Sequence, residues 1–156
     1  MKITIKSEKV LAAYNVVSTA KYAKLDDADK IKLWKIVREL KPVAEKLSED
    51  IESAKKALEP EGYQERLQSA IKYEQMVRDP KADMAECPIG AAEYAQFTDE
   101  ALKLRKLVAD ATKELMEKEV TISFELLSEK AFCKLMSGND WTADQAVTLG
   151  DVIAKS

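Results

Sequence analysis

Leu33, Val37, Leu40, Ala44, Leu47, Ile51, Ala54 and Leu58 follow one another at alternating steps of four and three. That spacing keeps them on one face of an α-helix. With a rise of about 1.5 Å per residue, a helix over residues 26–58 is roughly 45–50 Å long. A stripe of that length has to be covered by another helix or by a second copy of itself. Asp26 is the expected N-cap, and Asp27 and Asp29 favour the positive end of the helix dipole. Pro42 falls inside the stripe, but the apolar spacing passes through it unchanged. One kinked helix is therefore expected there, not two.

The natural partner is a second stripe of the same spacing, Phe97, Ala101, Leu104, Val108, Ala111 and Leu115, with Thr98 as its cap. Two such helices in one chain pack antiparallel at about 20°. A coiled coil between two copies is the competing arrangement. The hairpin places Leu40 and Leu107 inside. Between the stripes, Glu59-Pro60-Glu61-Gly62 breaks the chain. A further run with Tyr63, Leu67, Ala70, Ile71 and Val77 on one side then leads to Asp79-Pro80. Residues 80–96 are the least regular and read as a loop, with one helical turn near Ala91.

Two stretches alternate as strands do: Lys2-Ile3-Thr4-Ile5-Lys6 and Glu119-Val120-Thr121-Ile122-Ser123-Phe124. Each is the only good mate of the other. Pairing residues 2–6 with 119–124 puts Ile3, Ile5, Val120, Ile122 and Phe124 on one buried face. Ser7 then caps a helix that runs to about Lys21. A short helix over 126–136 ends at Ser137-Gly138-Asn139-Asp140. Thr142-Ala143-Asp144-Gln145 has capping-box spacing and opens a last helix with Ala146, Leu149, Val152 and Ile153. The expected fold is mainly α: a long kinked antiparallel helical hairpin, shorter helices and a two-stranded ribbon, in a single domain over 1–156.

The 156 residues carry a net charge of −3, with 34% charged residues and no histidine. A weakly acidic chain offers no general field for a phosphate backbone. Without histidine it lacks the commonest general base, the usual Zn²⁺ ligand and every Ser-His or Cys-His pair. No catalytic motif, cofactor motif or metal-ligand spacing is recognisable. Asp26, Asp27 and Asp29 lack the spaced ligands and glycine of a calcium loop and read as helix-capping residues. Glu114, Glu117, Glu119, Glu125 and Glu129 read as surface charge. Cys87 and Cys133 read as free thiols, one in a loop and one on a helix. No apolar run is long enough to span a membrane, and the first residues lack the apolar core of a signal peptide, so a cytoplasmic location is expected.

What remains points to protein–protein interaction. The 80–96 loop concentrates Met84, Cys87, Pro88, Ile89 and Tyr94, and such a loop either packs down or docks onto something. Lys32, Lys35, Arg38 and Lys41 run along the long helix at steps of three. They form a basic stripe for an acidic partner, or else a solvated face. Trp34 is read as core filling beside the stripe, and Trp141 as a hydrophobic staple. Partner anchoring is the competing role of either. A regulator that binds nucleic acid, or a nucleic-acid protein, through the basic face is the alternative function. A Mg²⁺-dependent carboxylate enzyme is a second alternative.

The order of these features resembles a group of small uncharacterised proteins encoded in tailed-phage and prophage structural-gene clusters. The matching parts are residues 2–5, the two apolar stripes, Glu119-Val120-Thr121-Ile122, Ser137-Gly138 and residues 146–153. The resemblance implies a phage-derived assembly or accessory role, with a phage structural protein as partner and the virion as the alternative location; a homo-oligomer is the partner that the stripes themselves allow. It supplies no catalytic residues.

Overall fold

The computed structural model describes residues 1–156. Its elements are β1 (Lys2–Lys6), α1 (Ser7–Val17), α2 (Asp27–Leu58), α3 (Tyr63–Arg78), α4 (Ala91–Glu117), β2 (Glu119–Ser123), α5 (Glu129–Ser137) and α6 (Ala143–Ile153), with a 3-10 turn at Met84–Glu86. The fold is mainly α and hairpin-like, with one two-stranded antiparallel sheet. No helix is long and apolar enough to cross a membrane. The chain divides into two compact units, one of Met1–Glu52 with Lys113–Ser156 and one of Ser53–Thr112.

In the first unit the ribbon has the expected register. Ile3 faces Ile122 and Ile5 faces Val120, while the outward Thr4 and Thr121 hydroxyls hydrogen-bond at 3.2 Å. The core gathers Val10, Ala13 and Val17 of α1, Leu33, Ile36 and Leu40 of α2, and Ile122 and Phe124 at the sheet. Ala131, Phe132 and Leu135 of α5 and Leu149, Val152 and Ile153 of α6 complete it. Leu127 is wholly buried. Its backbone N–H donates to Ile153 O, and Lys155 N–H donates to Leu127 O, both at 2.8 Å.

α2 is one unbroken helix through Pro42. Asp26 caps it as expected, accepting the Asp29 N–H at 3.0 Å. The capping box at Thr142 and Gln145 also forms. Ser7, in contrast, is not a cap. It lies inside α1, and both its backbone N–H and its hydroxyl donate to Lys118 O, at 2.9 and 2.8 Å. It ties the start of α1 to the residue before β2. α1 stops at Val17, short of Lys21, because a contact made across the fold captures the backbone of Lys21: Asn139 bonds it from the far end of α5. α5 begins at Glu129 instead of 126, since Ser128 accepts the Ala131 N–H and sets the start there. The residues before it belong to the Leu127 bridge.

In the second unit the last turns of α2 pack with α3 and the first part of α4. Gly62, with φ +71°, supplies the left-handed residue that turns α2 into α3. α3 lies antiparallel to α4, joined by Arg66 and Glu100, whose two hydrogen bonds are 2.5 and 3.2 Å. Tyr73 stacks on Tyr94 with centroids 4.6 Å apart. Ile71 and Val77 turn out to be exposed, and Tyr73 and Met76 take the inner positions. α4 starts at Ala91, so the irregular segment ends before 96. Thr98 is interior to the helix, its hydroxyl donating to Tyr94 O at 2.9 Å.

The second stripe drifts. Phe97, Ala101, Leu104, Val108 and Leu115 face inward, but Ala111 is exposed and Thr112 is buried in its place. At about 100° per residue both 111 and 112 lie within about 60° of the line through Phe97 and Leu115, so helix spacing admits either and packing selects 112. Leu107 lies about 80° off that line and is 55% exposed, not buried.

Candidate functional site

No three or more acidic or cysteine side chains come together in the way a metal ion needs. Cys87 and Cys133 are free thiols, in the loop and on α5 as read from the sequence. Asp26, Asp27 and Asp29 serve the start of α2, where Asp27 also lies 3.8 Å from Lys30. The Asp29 N–H holds the Asp26 carboxyl below its ordinary range.

The loop residues expected to form a docking surface are distributed differently. Asp79 and Asp83 each bend the chain over their own side chains, accepting the N–H two residues on at 2.9 and 3.0 Å. Such Asx turns pin the loop locally. Met84 and Pro88 are left exposed, while Cys87 and Ile89 are half-buried. Tyr94 is committed to α3: its ring lies on Tyr73 and its hydroxyl donates to Glu74, a bond that raises the phenol's pKa. Ile89 lines a cleft of about 360 Å³ with Arg66, Phe97 and the acidic Glu65, Glu93 and Glu100. Arg66, the one cation lining it, is already paired with Glu100.

The basic residues do not share one face. Successive helical residues turn by about 100°, so steps of three drift backward, and Lys41 lies about half a turn from Lys32. Lys32 is engaged by Glu125 at 2.9 Å, an ion pair that raises the lysine pKa and lowers that of the carboxyl. Lys35 is exposed. Arg38 and Lys41 stand on the opposite side with Lys30 and Trp34.

That side holds the least expected feature. Trp34 does not fill the core. It is 59% exposed, and Arg38 lies over its ring at 4.8 Å from the centroid. Trp34 forms one wall of an apolar groove of about 220 Å³, lined by Val17, Ala20, Tyr22, Leu33 and Val37, with Lys30 at its edge. Tyr22, on the segment joining α1 to α2, is 57% exposed, and Ile31, one turn before Trp34, is exposed too. The groove exists because α1 ends at Val17 and the chain must cross to Leu25, whose buried side chain anchors the start of α2. Ile31 and Trp34 sit off the stripe, and that is the sequence signal for this surface. Tyr22 carried none, since its place depends on how the connecting segment folds. Trp141 is half-buried against the core, as a staple residue would be.

Comparison with protein-family models, with curated proteins and with solved structures finds no match for this chain.

Proposed function

We propose that this protein is a non-enzymatic protein-interaction module, a phage- or prophage-derived assembly or accessory factor, that docks its partner on the Tyr22–Trp34 groove. The observation that carries the reading is Trp34, a large aromatic left more than half exposed beside an apolar groove. Tryptophan and tyrosine at the edge of a pocket are the residue types that dominate binding energy at protein interfaces. Exposing them to water gives the folded chain no stability of its own. The phage attribution rests on the order of strands, stripes and Ser137-Gly138 described above.

The test is capture from lysates of a lysogenic host, induced and uninduced, with the wild-type protein and with Tyr22→Ala/Trp34→Ala as bait. Capsid or tail proteins retained only from induced cells, and lost with the double variant, are the expected result. Partners held equally by both baits would move the interface elsewhere. Host proteins from both lysates would remove the phage role.

A further inference from the structure

The groove also carries information about the chemistry of its partner. Along α2, Lys30, Trp34, Val37, Arg38 and Lys41 occupy one stripe, because each step of three or four returns to nearly the same side. The cations on that stripe are loosely held. Lys30 is 3.8 Å from Asp27, Arg38 is 3.9 Å from Glu39 and Lys41 is 3.7 Å from Glu45. By contrast, Lys32 reaches Glu125, and Lys103 reaches Asp99, at 2.9 Å. Long, exposed ion pairs contribute little and are readily exchanged for a better carboxylate. Lys24, on the connecting segment, is engaged elsewhere, its ammonium donating to Ser137 O at 2.9 Å.

The α2 wall of the groove has its backbone bonded within the helix and offers no free edge for an added strand. Recognition along that wall goes through side chains, which suits a helix with its own backbone satisfied. A second copy gains nothing in charge: antiparallel docking centred on Trp34 would set Lys30 of one copy against Arg38 of the other, a repulsive pair, as well as Asp27 against Lys41, an attractive one.

We propose that the Tyr22–Trp34 groove receives an acidic amphipathic helix, its large aliphatic side chains entering the groove and its carboxylates meeting Lys30, Arg38 and Lys41. This rests on the interaction reading above and specifies the partner. Two synthetic helical peptides of about four turns test it, one of leucine and glutamate and one of leucine and lysine with the same apolar pattern. In a Trp141→Phe background Trp34 is the only tryptophan, so its fluorescence reports the groove. Should that variant not fold, the indole N–H resonance of Trp34 in the wild type, identified by its loss in Trp34→Phe, serves instead.

The expected result is a saturable blue shift with the leucine–glutamate peptide and none with the leucine–lysine peptide. Affinity should fall at least tenfold in Lys30→Glu/Arg38→Glu and weaken steadily with salt. Equal response to both peptides, preference for the lysine peptide, or no response to either overturns the acidic-helix assignment. So does a Trp34-dependent dimer in sedimentation, or a response to a DNA duplex that exceeds the response to the peptide. The placement of docking on this groove itself fails only if the Tyr22→Ala/Trp34→Ala bait also retains every captured protein.

Discussion

The side chain of Asn139 pairs with the backbone of Lys21 as another peptide group would. Its carbonyl oxygen accepts the Lys21 N–H at 2.7 Å, and its amide donates to Lys21 O at 2.8 Å, across 118 positions of sequence. The same amide donates to Leu135 O at 2.8 Å, so it also closes the end of α5. One residue thereby fixes the exit of α1 to the exit of α5 and shapes the segment that carries Tyr22.

Removing this link should loosen the first unit. Asn139→Ala loses three hydrogen bonds of about 0.5–1.5 kcal/mol each, so a loss of about 2–3 kcal/mol is expected. Asn139→Asp should be worse than Asn139→Ala, since a carboxylate cannot donate to the two carbonyls and would face them with like charge. Urea titration of the three proteins gives the order directly.

Leu40 and Leu107 separate the true core from its apparent extension. Leu40 is fully buried. Leu40→Ala should cost about 2–5 kcal/mol, and Leu40→Asp more, because a carboxylate would be buried without a partner. Leu107→Asp should fall within about 0.5 kcal/mol of wild type, as exposed substitutions do. Equal melting losses for the two aspartates would contradict the turn of α4 described above.

Gly150 faces the ring of Phe132. A Cβ there would sit 3.1 Å from Cε1 and 3.2 Å from Cζ, and Phe132 is itself buried. Alanine gains about 1 kcal/mol of helix propensity over glycine, but crowding a packed ring costs about 1–3 kcal/mol. Gly150→Ala should therefore destabilise modestly. In Phe132→Leu the same change should turn neutral or favourable, a coupling that a double-mutant cycle measures.

Acid should weaken the start of α2. Asp26 is held below its ordinary value by the Asp29 N–H, and Glu125 by Lys32. A carboxyl with a lowered folded pKa stabilises the fold above its unfolded value, about 4, and that stability is lost as pH falls through the folded value. Lys32, raised by Glu125, has the opposite sign: its share is present below the unfolded lysine value and lost as pH rises through the folded one. Asp26→Asn keeps a good cap without a titrating group. Thermal melts from neutral pH to about pH 3 should show a shallower acid limb for Asp26→Asn and for Glu125→Gln than for wild type.

Local chemistry made much of this fold legible. The alternation of Ile3 and Ile5 against Val120 and Ile122 allowed only one pairing with an apolar face, and that register forms. Asp26, Thr142 and Gln145 act as caps because a cap needs nothing beyond its own first turn. The α2 stripe, with its passage through Pro42, follows from spacing alone. Ser7, Lys21 and the start of α5 could not be read the same way. Lys118 O, the Asn139 side chain and Ile153 O, the partners of Ser7, Lys21 and the Leu127 segment that keeps α5 from starting at 126, lie far off in the chain and replace the local bonds that a helix or cap would make. The exposure of Trp34 and Leu107 has the same origin. A hydrophobic residue next to a stripe is buried only if some other element arrives to cover it. Sequence periodicity set the directions in which these side chains point; tertiary packing decided which of those directions lead to water.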